Sequence, residues 1–221
     1  MDTERIQALI FDMDGVIVNS EPIHEKAEME VFREFGMEVD RREWDGFRGK
    51  KADDIFTYVI QKYGNGDEPI EKMIERKIEM YLLHALHEMQ LVSGAKEFFR
   101  RLSGSQKYRC ALTTSGRKDQ QYKILAKFGL LDCFQVMVTA DDVKNGKPHP
   151  EPYIATVQRL NLEPDVCLVI EDSDNGILSA KAAGCQACGI TTTFTKGRLE
   201  GAGADVIVAG FDELAQILFS D

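Results

Sequence analysis

The sequence predicts an α/β fold: a doubly wound, mostly parallel, Rossmann-like sheet with a small all-helical cap domain inserted into it. Two observations carry this. Short apolar runs alternate with amphipathic stretches along most of the chain, and the runs are near-continuously apolar, as in strands buried on both faces. One long segment, from about Ser20 to Leu91, shows helical periodicity and no β-like run. Strand–helix alternation builds a parallel sheet, and a helical block inside it reads as an insert.

The first run is Ala8–Phe11. Cys110–Thr113, Val136–Val138, Val166–Ile170, Gly189–Thr191 and Val206–Val208 follow. Between them the pattern predicts helices over about 118–129, 150–161, 174–183 and 211–219, the third of these with Asp174 as N-cap and Gly184 past its end. Within the insert, helices are expected over 21–36, 51–63 and 69–89, with breaks at Gly64-Asn65-Gly66-Asp67 and Val92-Ser93-Gly94. The expected domains are therefore 1–19 plus 92–221 for the α/β core and 20–91 for the helical cap. An insert after the first strand is expected over the strands' carboxyl ends, where open α/β sheets bind ligands.

Composition narrows the function. The chain has 221 residues and a net charge of −10, so nucleic acid is not expected as a partner. No apolar run approaches the roughly 20 residues of a membrane helix, and the polar start Met1-Asp2-Thr3-Glu4-Arg5 is unlike a signal peptide, so a cytoplasmic protein without a membrane partner is expected; with no exposed apolar stripe in the sequence, a monomer is expected. The five cysteines are odd in number, which argues against a disulfide framework. Cys185 and Cys188 have metal-like spacing, but three positions apart on a strand they face opposite ways, so a buried structural pair is expected.

Four places at or after strand ends carry candidate chemistry. Asp12-Met13-Asp14-Gly15 sets two carboxylates at i and i+2, a repelling pair that needs a cation or a raised pKa, and hard oxygens suit Mg²⁺; an acidic solvated turn is the plain alternative. Thr114-Ser115-Gly116 offers hydroxyls and backbone N–H groups to a phosphate, or simply caps a helix. Lys147 lies in Gly146-Lys147-Pro148-His149-Pro150, where the prolines fix its direction toward a phosphoryl group or toward solvent. Glu171-Asp172-Ser173 follows the most apolar run. Two acids there are costly without a cation, and they either complete a metal site with Asp12 or cap the next helix. All four converge on one crevice if the sheet is parallel.

With these motifs in this order, the chain resembles the haloacid dehalogenase-like superfamily of phosphotransferases. The segment from Asp12 to Pro22 is similar to the beta-phosphoglucomutase-like subgroup, which has a small helical cap and holds many sugar-phosphate phosphatases. The resemblance implies a Mg²⁺-dependent phosphomonoester hydrolase acting on a small phosphorylated metabolite, a sugar phosphate. Asp12 would be the nucleophile that forms an aspartyl-phosphate, and Asp14 the general acid–base. Thr114 and Ser115 would hold phosphoryl oxygens, and Lys147 would balance charge. Asp12, Asp172 and the Asp14 carbonyl would bind Mg²⁺, with Glu171 an alternative or outer ligand. Asp14 sets the chain apart from dehalogenases and phosphonatases, which lack that aspartate.

The alternative is a hexose-phosphate mutase. His24 matches a histidine on the mutase's first cap helix, whereas Ala52 stands where the mutase has a substrate-gripping arginine. Arg48, Lys50 and Lys51 are the candidates to replace that arginine, or else a solvated basic loop. Trp44 is expected in the cap core rather than stacked on substrate. His84 and His87 lack a third zinc ligand.

Overall fold

A computed structural model describes residues 4–47, 52–65, 69–105 and 107–219. It divides into two compact units, Met1–Asn19 with Gln90–Asp221, and Ser20–Met89.

The first unit is an α/β sandwich. Its strands are β1 (Ala8–Phe11), β4 (Arg109–Thr113), β5 (Val136–Val138), β6 (Cys167–Glu171), β7 (Gln186–Ile190) and β8 (Val206–Val208). They form one sheet in the order β5-β4-β1-β6-β7-β8, and every pairing is parallel. This is the doubly wound 3-2-1-4-5-6 order, whose direction of winding reverses at β1. β1, β4 and β6 have almost no exposed residue, which is why their sequences read as continuous apolar runs.

Helices cover both faces. On one, α7 (Glu151–Leu160), α8 (Asp174–Ala182) and α9 (Lys196–Gly201) bury Tyr153, Val157, Ile177 and Leu199 against Ile10, Val169 and Ala187. On the other, α5 (Ala95–Ser105) and α10 (Phe211–Phe219) enclose an aromatic cluster, in which Phe98 and Phe99 lie 5.9 and 5.0 Å from Phe11. α6 (Lys118–Phe128) ends at Gly129 with φ 67°, the left-handed conformation that suits glycine after a helix.

The second unit is helical: α1 (Glu21–Glu34), α2 (Arg41–Trp44), α3 (Ala52–Tyr63) and α4 (Ile70–Glu88). Its own core gathers Val31, Phe32, Trp44, Phe56, Val59 and Met73. The expected first helix, 21–36, stops at Glu34, because the chain turns at Gly36 with φ 77° and Met37 N–H bonds back to Phe32 O at 2.8 Å.

The sequence reading of 20–91 as free of β structure fails at its end. Gln90–Leu91 is a strand, β3, antiparallel to β2 (Val18–Asn19) with Val18 opposite Leu91. These two residues belong to the α/β unit, so that unit resumes at Gln90 rather than at residue 92. A two-residue ribbon is too short to leave a periodicity.

Candidate active site

Sheet register builds the site. Phe11, the last residue of β1, pairs with Leu112 on one side and Ile170 on the other, so β4 and β6 each run one residue beyond β1. Asp12 follows β1 directly and its N–H bonds to Ile170 O at 3.0 Å. Glu171 closes β6, and Asp172 comes next. The carboxylates of Asp12, Glu171 and Asp172 are all buried and offer oxygens within 4.8 Å of one another, the one group able to hold a metal ion among the described residues.

The segment between β5 and α7 brings in a single cation, Lys147, which precedes a cis bond to Pro148. Its ammonium donates to Asp12 Oδ1 at 2.5 Å, Glu171 Oε1 at 2.6 Å and the Thr113 carbonyl at 3.1 Å. Sequence reasoning missed two partners of Glu171. Tyr153, buried on α7, donates its hydroxyl to Oε1 at 2.7 Å, and Ser173 donates to Oε2 at 3.0 Å. Ser173, rather than the expected Asp174, is the N-cap of α8: its Oγ accepts from Gly176 N–H, and Asp174 is the first helical residue. Tyr153 carries no signal beyond its place on an apolar helix face.

Three acids facing one ammonium leave a charge imbalance. Burial pushes Asp12 up to about 7, with Glu171 and Asp14 adding and Lys147 opposing. Burial also raises Asp172 well above the usual carboxylate range, helped by Glu171 and Asp12 and opposed by Thr193 and Lys147. Burial works against the charge on Lys147, yet Asp12 and Glu171 outweigh it and raise its pKa above the ordinary lysine value. A hard divalent cation is what such a cluster of buried oxygens fits.

Two glycines make the packing possible. Gly15, at φ 73°, turns the chain after Asp14, and a Cβ there would lie 1.9 Å from Asp172 Oδ2. A Cβ on Gly176 would lie 1.9 Å from Glu171 Cδ. The Asp14 side chain is half-buried and stands outside the acidic trio.

The remaining expected residues divide. Thr114 is buried just past β4, its N–H on Val138 O and its hydroxyl accepting from Gly116 N–H at 3.1 Å, so it shapes the loop and does not cap α6. Ser115 is exposed. In the helical unit, His24 stacks on Tyr81 with ring centroids 4.3 Å apart. Its Nδ1 is buried without a partner, and burial with Lys77 holds its pKa well below the usual histidine value. Arg48, Lys50 and Lys51 lie outside the described residues. Trp44 packs in the helical core and donates to Glu28 Oε2 at 2.7 Å. His84 bonds Glu30 at 2.7 Å, while His87 is exposed. Cys185 and Cys188 are buried free thiols.

Known proteins are similar to this chain along most of its length. The profile of the haloacid dehalogenase-like hydrolases matches residues 9–190. The validoxylamine A 7'-phosphate phosphatase of Streptomyces hygroscopicus subsp. limoneus is 31% identical, over 93% of this chain and 94% of its own. The fructose-1-phosphate phosphatase YqaB of Escherichia coli is 32% identical, over 83% and 96%. The crystal structure of a candidate beta-phosphoglucomutase from Thermotoga maritima superposes with a TM-score of 0.82 at 28% identity, over 96% of this chain and 98% of that one. With the acidic trio and its lysine at the sheet's winding reversal, this chain belongs to the haloacid dehalogenase-like hydrolase family, on the branch that carries phosphatases.

Proposed function

We propose that the protein is a Mg²⁺-dependent phosphomonoester hydrolase acting on a small phosphorylated metabolite, a sugar phosphate, through a phosphorylated Asp12. The observation that carries this is the buried Asp12–Lys147–Glu171 cluster, in which one ammonium bridges two carboxylates at 2.5 and 2.6 Å. The names of two relatives, a validoxylamine A 7'-phosphate phosphatase and a fructose-1-phosphate phosphatase, support the substrate class.

The steps follow from the residues. An Asp12 oxygen attacks phosphorus, and the bond from phosphorus to the sugar oxygen breaks. Asp14 gives that oxygen its proton and then takes one from the water that attacks the phosphorus, as the bond from phosphorus to Asp12 breaks and inorganic phosphate leaves. Splitting one displacement into two gives each half a lower barrier. Lys147, already on Asp12 Oδ1, offsets the charge of the incoming phosphoryl group, and Thr114 with Ser115 holds its oxygens. The Asp12 and Asp172 carboxylates with the Asp14 carbonyl would hold Mg²⁺, with Glu171 beside them, and the bound ion would lower the cost of bringing a phosphate dianion to a carboxylate.

Phosphorus NMR with Mg²⁺ and a panel of sugar phosphates tests the reading. Growth of an inorganic phosphate signal is expected, and Asp12→Asn is expected to lose it by at least about a thousandfold. Full phosphate release by that variant would refute the nucleophile. Interconverting phosphoesters without free phosphate, in the presence of a bisphosphate primer, would make the enzyme a mutase instead.

A further inference from the structure

Glu171 is held from every side. Oε1 accepts from Lys147 at 2.6 Å and from the Tyr153 hydroxyl at 2.7 Å, and Oε2 accepts from Ser173 Oγ at 3.0 Å. A Cβ at position 176 would overlap its Cδ, so α8 closes the remaining side. Tyr153 itself has no exposed surface and belongs to the apolar cluster under the sheet. A buried hydroxyl costs stability unless it is bonded, and a phenylalanine would fill the same space at no such cost. This hydroxyl emerges from the apolar cluster at the one carboxylate that pairs with Lys147 besides Asp12. The ring of Tyr153 serves the same lysine, since its centroid lies 5.0 Å from Lys147 Nζ, within cation–π range.

We propose that Tyr153 is a positioning residue for Lys147: its hydroxyl pins Glu171 Oε1, its ring face holds the ammonium, and together they keep that ammonium on Asp12 Oδ1. A lysine on a four-carbon stem has many rotamers, and charge stabilisation in the transition state requires one of them in advance. Glu171 is the anchor that selects it, and Tyr153 fixes the anchor. The inference rests on the hydrolase reading, which gives Lys147 the task of meeting phosphoryl charge.

Tyr153→Phe tests it, with Tyr108→Phe as its comparison. Tyr108 is also buried, but its hydroxyl donates to the Leu218 carbonyl at 3.0 Å, at the end of β4 away from the acidic site. For Tyr153→Phe, kcat is expected to fall about tenfold with KM within twofold of wild type. For Tyr108→Phe, both constants should stay at wild-type values while the melting temperature drops. A second reading needs no turnover. In ¹⁵N-lysine NMR of the metal-free protein, the Lys147 ammonium signal, assigned by its loss in Lys147→Arg, is expected to exchange with water at least fivefold faster in Tyr153→Phe. Glu171→Gln should accelerate it too.

Wild-type kcat together with wild-type ammonium exchange in Tyr153→Phe would overturn the proposal. So would a rise in KM at constant kcat, which would mean substrate contact rather than positioning. Should the wild type release phosphate from no sugar phosphate, the hydrolase reading falls separately. The ammonium exchange would then still decide whether Tyr153 holds Lys147.

Discussion

Asp12 of the α/β unit and Glu43 of the helical unit are both carboxylates bonded to a lysine, yet their environments drive them in opposite directions. Glu43 accepts from Lys62, Tyr58 and Tyr63, and those hydrogen bonds lower its pKa to about 2. Asp12 has Lys147 at 2.5 Å, yet burial beside Glu171 and Asp14 pushes it up to about 7. Burial outweighs the lysine at Asp12, whereas hydrogen bonds outweigh burial at Glu43. In the helical unit the buried acid Glu28 has donors of its own, Trp44 at 2.7 Å and Lys77 at 3.4 Å. In the α/β unit three buried acids cluster and the one ammonium among them pairs with two, Asp12 and Glu171. Balanced charge belongs to a finished structure. Buried negative charge in excess marks a site completed by something positive.

Removing each lysine should separate the two cases most widely. Lys147→Met leaves buried carboxylates with no cation beside an apolar stem, which costs about 3–5 kcal/mol by the general behaviour of broken buried pairs. Phosphate release should fall by more than a hundredfold. Lys62→Met removes an ion pair whose lysine side chain is 47% exposed, where water and salt screen the charges, so the loss should be a small fraction of the first. Urea unfolding of both variants measures the contrast, and equal losses would break it.

Two glycines of the α/β unit set the crowded acidic site against an open surface at a smaller scale. Gly176→Ala places a methyl 1.9 Å from Glu171 Cδ, so the carboxylate must move. Overpacking of that kind costs about 1–3 kcal/mol, and kcat should drop with it as Lys147 loses its anchor. Gly197, inside α9, has nothing within 4 Å of its would-be Cβ, so Gly197→Ala should be neutral or stabilise by up to about 1 kcal/mol.

Much of the α/β unit is legible in the amino-acid pattern, for a physical reason. Strands buried on both faces must be apolar throughout, so Ala8–Phe11 and Cys167–Ile170 stand out, and the polar residues that end them mark the crevice. The meeting of Asp12, Glu171, Asp172 and Lys147 follows from those ends. α5 is equally legible in its Ala95, Phe98, Phe99, Leu102 stripe, spaced i, i+3, i+4 and i+7, although no helix is among the expectations there. Tyr153 and Gly176 are out of reach of such patterns. Their roles depend on which way a buried carboxylate turns, and that is set by side-chain packing between α7, α8 and β6 rather than by any period in the sequence.

The smallest effect concerns the cation that the acidic trio fits, and its sign can be worked out. A carboxyl raised in the folded state keeps its proton after the unfolded chain has lost its own. For Asp12, between the ordinary value of 3.8 and about 7, the folded state therefore binds the extra proton, and its contribution to stability declines as pH rises through that window. Above about 7 the metal-free protein carries the full cost of an ionised Asp12 among other acids. Mg²⁺ removes that cost only where the carboxylate is ionised, because a proton and the ion compete for the same oxygens. Saturating Mg²⁺ should thus raise the melting temperature of the α/β unit by about 2–4 °C more at pH 8 than at pH 5, the equivalent of about 1 kcal/mol for a chain of this size. Asp12→Asn cannot ionise at that position and should lose most of the pH dependence of the shift. A shift of equal size at both pH values in the wild type would mean that the ion binds away from Asp12, and that the excess of buried acid at the strand ends serves another purpose.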